Sequence, residues 1–250
     1  MNALNPSLPL ILFQLARKLT HILFALVLRT ILLLILPFLT PGFASSTEEG
    51  FVQIFNGTDL AGWDGMPGAW SVRDGAIESL GAKLGKNWLI WRGAEVKEFE
   101  LRLRFRFIRG NSGVQVRSHD LGNWQVHGYQ VEIAAREKMG LWHESLWREK
   151  ERTTLATAGQ KVHIAPDGSR TVAVFADPAK LQAAVKINDW NKLIVIGEGN
   201  RLVQIINGVV LAELIDEDRT RSKRSGVIAL QDHGNGCLVQ YRDIRLKVTH

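Results

Sequence analysis

The sequence predicts an all-β fold, a two-sheet antiparallel jelly-roll sandwich with minor helix, on three observations. Apolar and charged residues alternate with period two, most clearly where Phe99, Leu101, Leu103, Phe105 and Phe107 interleave with Glu100, Arg102, Arg104 and Arg106. Such a segment turns one apolar face inward and one charged face outward, as a half-buried strand does. Short runs of this kind recur along the chain between turn-forming pairs such as Asn56-Gly57, Asp74-Gly75, Gly110-Asn111, Asp167-Gly168 and Asn207-Gly208. No helical periodicity is sustained for more than a few turns. The composition, 46% hydrophobic and 22% charged, is that of a folded protein and excludes wholesale disorder.

Taken in order, residues 1–44 read as a leader. The uninterrupted apolar run Ile31–Leu39 has the length of a signal-peptide core, and Pro41-Gly42-Phe43-Ala44 places small residues at −3 and −1 for cleavage after Ala44. The mature chain is then expected to begin near Ser45, secreted or periplasmic. An uncleaved anchor over 22–39 is the alternative, opposed by Arg29 near its centre, which costs about 2.5–3.5 kcal/mol at mid-membrane. From Phe51 onward one domain, 45–250, is expected. Strands are predicted at Phe51–Phe55, Trp70–Arg73, Trp88–Trp91, Phe99–Phe107, Val114–Arg117, Tyr129–Ile133, Thr171–Phe175, Leu193–Ile196, Leu202–Ile206, Val209–Leu211, Val227–Gln231 and Leu238–Val248. Helix is predicted only at Arg136–Arg152 and Pro178–Ala184.

Charge and cysteine narrow the function classes. Arg17, Lys18 and Arg29 account for three of the net +6, leaving +3 for residues 45–250 without a long Lys/Arg run, so nucleic acid is not an expected partner. The single Cys237 excludes an internal disulfide, and its apolar setting reads as a small buried hydrophobe. No dinucleotide loop is present, because Gly197-Glu198-Gly199 lacks the third glycine and the following helix.

Strand parity points to a site. In Val114–Arg117 the valines face one way and Gln115 and Arg117 the other; in Tyr129–Ile133 the polar set is Gln130 and Glu132. Adjacent strands would put Gln115, Arg117, Gln130 and Glu132 on one outer face. Gln231 shares the parity in the Val227–Gln231 strand, with His233 just beyond its end. Residues 119–148 add Trp124, His127, Trp142, His143, Glu144 and Trp147, a mixture of flat aromatic and titratable groups that suits a sugar.

These residues resemble a family. Ile54–Trp63 (IFNGTDLAGW), Phe99–Arg102 (FELR), Gly110–Ser118 (GNSGVQVRS), Gly128–Ile133 (GYQVEI), Gly140–Ser145 (GLWHES), Gly226–Gly234 (GVIALQDHG) and Tyr241–Arg245 (YRDIR) are similar, in order, to blocks of the 3-keto-disaccharide hydrolase domain, over about residues 51–247. Three positions depart from the pattern: Trp142-His143 replaces Tyr-Asp, and Asp243 replaces Asn. The resemblance implies a concanavalin A-like jelly roll and cleavage of glycosides whose ring carries a C3 ketone. That ketone acidifies the C2 proton, so the aglycone can leave from C1 by elimination and water can add back. A base near C2, a partner for the enolate oxygen and an acid for the leaving group are required. The resemblance implies Glu132 or Glu144 as base, Arg117 as enolate partner and His233 or His143 as acid. Gln115, Gln130, Gln231, Trp124, Trp142 and His143 are expected to bind the substrate. No cofactor is expected; a divalent ion on Glu132, Glu144 and a histidine is conceivable, but no ligand spacing supports it. A non-catalytic lectin-like module is the competing expectation.

Overall fold

Alternation along Phe99–Arg109 becomes a long central strand whose five apolar side chains, Phe99 to Phe107, are buried while Glu100, Arg102, Arg104 and Arg106 stay half-buried on the other face. Burying each such apolar side chain contributes about 1.5–3 kcal/mol relative to exposure, which is what orients the strand. The computed structural model describes residues 49–81, 84–144 and 153–249. The expected leader and its cleavage site lie outside the described residues. Residues Thr47–His250 form one compact unit.

Seventeen strands occur among the described residues. They are β1 (Val52–Gln53), β2 (Trp63–Asp64), β3 (Trp70–Arg73), β4 (Ala76–Ser79), β5 (Asn87–Trp91), β6 (Phe99–Arg109), β7 (Ser112–Gly122), β8 (Gln125–Ile133) and β9 (Gly140–Glu144), followed by β10 (Thr154–Thr157), β11 (Gln160–Ile164), β12 (Arg170–Val174), β13 (Trp190–Glu198), β14 (Arg201–Ile206), β15 (Val209–Asp216), β16 (Val227–Asp232) and β17 (Leu238–Val248). A ten-stranded sheet runs β12-β11-β15-β14-β13-β6-β17-β4-β3, with β1 beside β17; a seven-stranded sheet runs β10-β9-β8-β7-β16-β5-β2. The core lies between them, with Leu101, Phe105, Val195 and Tyr241 from the first sheet packed with Leu89, Val114, Val131 and Leu230 from the second. The architecture is an all-β jelly-roll sandwich. Its pairings are antiparallel except for β11 with β15, which run parallel in the register Lys161↔Glu213 to Ile164↔Asp216.

One of the two expected helices forms. Helix α1 (Pro178–Gln182) starts where Asp177 accepts a hydrogen bond from the Ala179 amide at 2.9 Å and Pro178 supplies the fixed φ of a first turn. The helix expected over Arg136–Arg152 does not form in its described part. A single 3₁₀ turn at Arg136–Lys138 leads into β9, whose Leu141 pairs with Val131 across the sheet and is buried. Sheet pairing outweighed local propensity here. The remainder of that prediction, 145–152, lies outside the described residues.

Candidate active site

The outer face of the seven-stranded sheet is built by registers. Residue Gln115 sits opposite Gln130, Gly113 opposite Glu132, and Trp142 opposite Gln130 on the other side. Because Tyr129, Val131 and Ile133 occupy the core, the intervening Gln130 and Glu132 must face outward. Gly113 is required opposite Glu132, since a Cβ there would come within 2.6 Å of the Gln130 side chain. The β9 strand then delivers Trp142 and Glu144 to the same face, and β16 delivers Gln231 with His233 at its end.

These side chains surround a pocket of about 390 Å³ whose walls include Lys86, Asn111, Glu132, Trp142, Glu144 and His233, with Gln130 and Gln231 beneath. Its floor is a chain of hydrogen bonds. Ser118 Oγ donates to Gln115 Oε1 at 2.7 Å, Gln115 Nε2 to Gln130 Oε1 at 2.6 Å, and Gln130 Nε2 to Glu132 Oε2 at 2.6 Å. Asn111 Nδ2 donates to the other Glu132 oxygen at 2.7 Å. Beside this chain, Gln231 Nε2 reaches Glu144 Oε2 at 3.3 Å, and Lys86 Nζ contacts Glu144 Oε1 at 2.5 Å.

The two carboxylates are therefore unequal. Burial pushes the Glu132 carboxyl up to about 7; its two amide hydrogen bonds oppose the rise and the Glu144 charge adds to it. Glu144 is directly ion-paired to Lys86. The His233 imidazole, at the exposed rim, has its pKa lowered by partial burial and then by the Lys86 charge, which favours its neutral form. Trp142 presents its indole to the pocket while its Nε1 donates to Lys138 O at 3.0 Å, which fixes the ring as a wall. This constellation can take a proton at Glu132, place a cation at Lys86 and hold a flat ring against Trp142. Among the described residues, no three His, Cys, Asp or Glu side chains are grouped to hold a metal ion.

The structure brings Glu132, Glu144, His233, Gln130, Gln231 and Trp142 to this pocket, sets His143 at its border and Gln115 beneath it, and places Arg117 and Trp124 elsewhere. Arg117 does not share the face. Its φ of 47° marks a bulge at which the β7/β8 register slips between Val116 and His119, and the slip reverses the parity on which its placement rested. The guanidinium is 1% exposed and donates to Lys97 O at 2.8 and 2.5 Å and to Gly199 O at 2.9 Å, with Glu98 3.7 Å away. Arg117 thus ties two loops together and does not line the pocket. Trp124 is also outside: with Asn123 it forms the positive-φ turn of the β7–β8 hairpin, and its Nε1 donates to Asp64 Oδ1 at 2.8 Å. His143 borders the pocket, but its pairing with Tyr129 turns the ring to the inner face. There it packs edge-on against His127 and Tyr129, at centroid distances of 5.0 and 5.8 Å. Gln115 lies under the floor and positions Gln130 without lining the pocket.

Sequence reasoning missed Lys86 and Asn111. Asn111 stood in a recognisable block but read as a turn residue, and Lys86 precedes β5 with no pattern to mark it. Asp243, which departs from the family pattern, is an exposed positive-φ residue in a β17 bulge paired to Arg104 at 3.2 Å, on the other sheet. Asp and Asn both tolerate that conformation, so the exchange is conservative.

A jelly-roll sandwich with a carboxylate-bearing, tryptophan-walled cleft on one outer face is the architecture of a carbohydrate-active protein. The chain belongs to the 3-keto-alpha-glucoside-1,2-lyase-like domain family, whose model matches residues 50–247. It is 24% identical over 243 residues to a 3-keto-disaccharide hydrolase of Bacteroides thetaiotaomicron, covering 80% of this chain and 79% of that one. Two solved structures from Parabacteroides distasonis, both provisionally assigned to the glycosyl hydrolases, share the fold. One has a TM-score of 0.52 at 19% identity, covering 80% of this chain and 99% of its own; the other has 0.53 at 16%, covering 80% and 95%.

Proposed function

We propose that the protein hydrolyses 3-keto-glycosides by elimination and hydration at this pocket. The observation that carries the reading is Glu132: a buried carboxyl held by two amides, with its pKa moved to about 7, is matched to proton abstraction at neutral pH. Its carboxylate takes the C2 proton, and the charge that develops on the C3 oxygen is met by the Lys86 ammonium, in the role that sequence reasoning assigned to Arg117. The enolate collapses, the C1–O bond breaks, and the departing oxygen takes the proton from the Glu132 carboxyl. The His233 imidazole then accepts a proton from water as its oxygen adds to C1, and the imidazolium returns that proton to C2 of the new enolate. The sum is hydrolysis. Glu144 holds Lys86 in place, and Trp142 supports the sugar ring.

The test is release of the aglycone from a chromogenic 3-keto-glucoside by the purified full-length chain, with the unoxidised glucoside as control. Turnover of the keto substrate alone is expected; no turnover of any 3-keto-glycoside overturns the reading. Saturable glycan binding that is unchanged in Glu132→Gln, without turnover in either protein, would instead establish a binding module.

A further inference from the structure

The opposite outer face, on the ten-stranded sheet, carries a groove that the proposed reaction does not use. It encloses about 500 Å³ and is lined by Arg104, Lys186, Trp190, Lys192, Ile194 and Asn207. Register explains its charge. Lys192, Arg104 and Arg242 lie side by side on β13, β6 and β17, and Arg106 follows two residues along β6 opposite Trp190. Neighbouring strands are about 4.8 Å apart and alternate residues about 6.7 Å apart, so the cations form a grid.

Internal pairing leaves this grid under-neutralised. Asp243 is 3.2 Å from Arg104 and 3.9 Å from Arg242 Nε, and that buried Nε has no hydrogen-bond acceptor among the described residues. Arg106 donates only to the neutral Gln240 amide oxygen, at 2.6 Å, and exposed Lys192 has no carboxylate partner among the described residues. The Arg242 and Arg106 guanidinium carbons lie 4.0 and 5.3 Å from the Trp190 ring centroid. Cation–π contacts of this kind hold the two guanidinium groups against the ring and leave their terminal N–H groups for charge-assisted bonds to carboxylates.

We propose that this face is a second ligand surface, which binds a carboxylated polysaccharide along the Lys192–Arg104–Arg242 row. A groove with an apolar floor of Trp190 and Ile194 and a cationic rim fits a chain of rings that carries acid groups at intervals. A lipid surface or a duplex would demand a broader basic plane, and Glu100, Glu78 and Asp243 interrupt this one. The surface would hold the protein on an acidic glycan and leaves the pocket on the other sheet free.

Affinity electrophoresis of the full-length chain in gels containing polygalacturonate, neutral dextran or dextran sulfate tests the proposal, together with flotation on phosphatidylserine vesicles. Retardation by polygalacturonate alone is expected, falling steeply with salt. Arg104→Gln/Lys192→Gln is expected to weaken it at least tenfold, while the melting curve and turnover of a 3-keto-glucoside stay unchanged. Lys192→Gln alone changes an exposed side chain that supports nothing in the fold, and is expected to weaken retardation about threefold. No retardation by polygalacturonate, unaltered retardation in both variants, or equal or stronger binding to dextran sulfate or vesicles would overturn the proposal. None of these results bears on the 3-keto-glycoside reading, which turnover tests separately.

Discussion

The two outer faces of the sandwich follow one rule of alternation and come to opposite ends. On the seven-stranded sheet the polar side chains bond one another: Gln115, Gln130, Glu132 and Gln231 are all buried, and Glu132 has both oxygens satisfied. On the ten-stranded sheet Arg102, Arg104 and Arg106 remain partly exposed and lean on aromatic rings and on the carboxylates of Glu100 and Asp243. The difference lies in what stands opposite. Gly113 and the amides opposite one another on β7 and β8 let a network close, whereas like charges opposite one another on β6 and β17 cannot close and stay open to solvent or a ligand.

The sharpest way to break this comparison is Glu132→Gln. It keeps the size of the side chain and one of its two acceptor oxygens while removing the base, and turnover of a 3-keto-glucoside is expected to fall roughly 10²-fold or more in steady-state assays. Next in size is Arg117→Met, which belongs to neither face. It leaves Lys97 O and Gly199 O without their donor in a buried setting, and denaturant melts are expected to show about 3 kcal/mol of lost stability. The protein that remains folded should keep full activity per molecule; a selective loss of activity would return Arg117 to the site.

The third prediction is linkage. A carboxyl whose folded pKa is raised binds its proton more tightly folded than unfolded, so it costs nothing below pH 4.5 and its cost grows as pH rises to about 7. The full cost is on the order of 3 kcal/mol above that range. Melting temperature of the wild-type chain should therefore decline across this window, and Glu132→Gln should flatten the decline. Activity should move the other way, rising with pH through about 7 as Glu132 ionises. Equal slopes in wild type and variant would remove Glu132 as the titrating group. Smallest of all, Asp243→Asn on the open face is expected to alter stability by less than about 0.5 kcal/mol in the same melts, because either side chain accepts the positive φ.

Much of this was legible in one dimension. The strands at Phe99–Phe107 and Tyr129–Ile133 announce themselves because burial on one face imposes period two, and parity alone set Gln130 and Glu132 together. The same parity failed at Arg117, since a bulge is a single inserted residue with a positive φ and alternation carries no mark of it. It would have served at His143, whose pairing with Tyr129 puts it inward, had the β9 strand been recognised in place of a helix. Lys86 was invisible for a different reason: it meets Glu144 only because β5 and β9 are brought to one face of a sheet, 58 positions apart in sequence.

The sequence by itself determined the sandwich, the turns and which residues of each regular strand face outward, because those depend on local chemistry repeated along the chain. The tertiary structure decided which outward residues meet, that Arg117 is a buried tie between loops, and that Glu132 is enclosed deeply enough to titrate near neutrality. Proximity across strands and the loss of water around a charge depend on every element at once, and no single segment carries them.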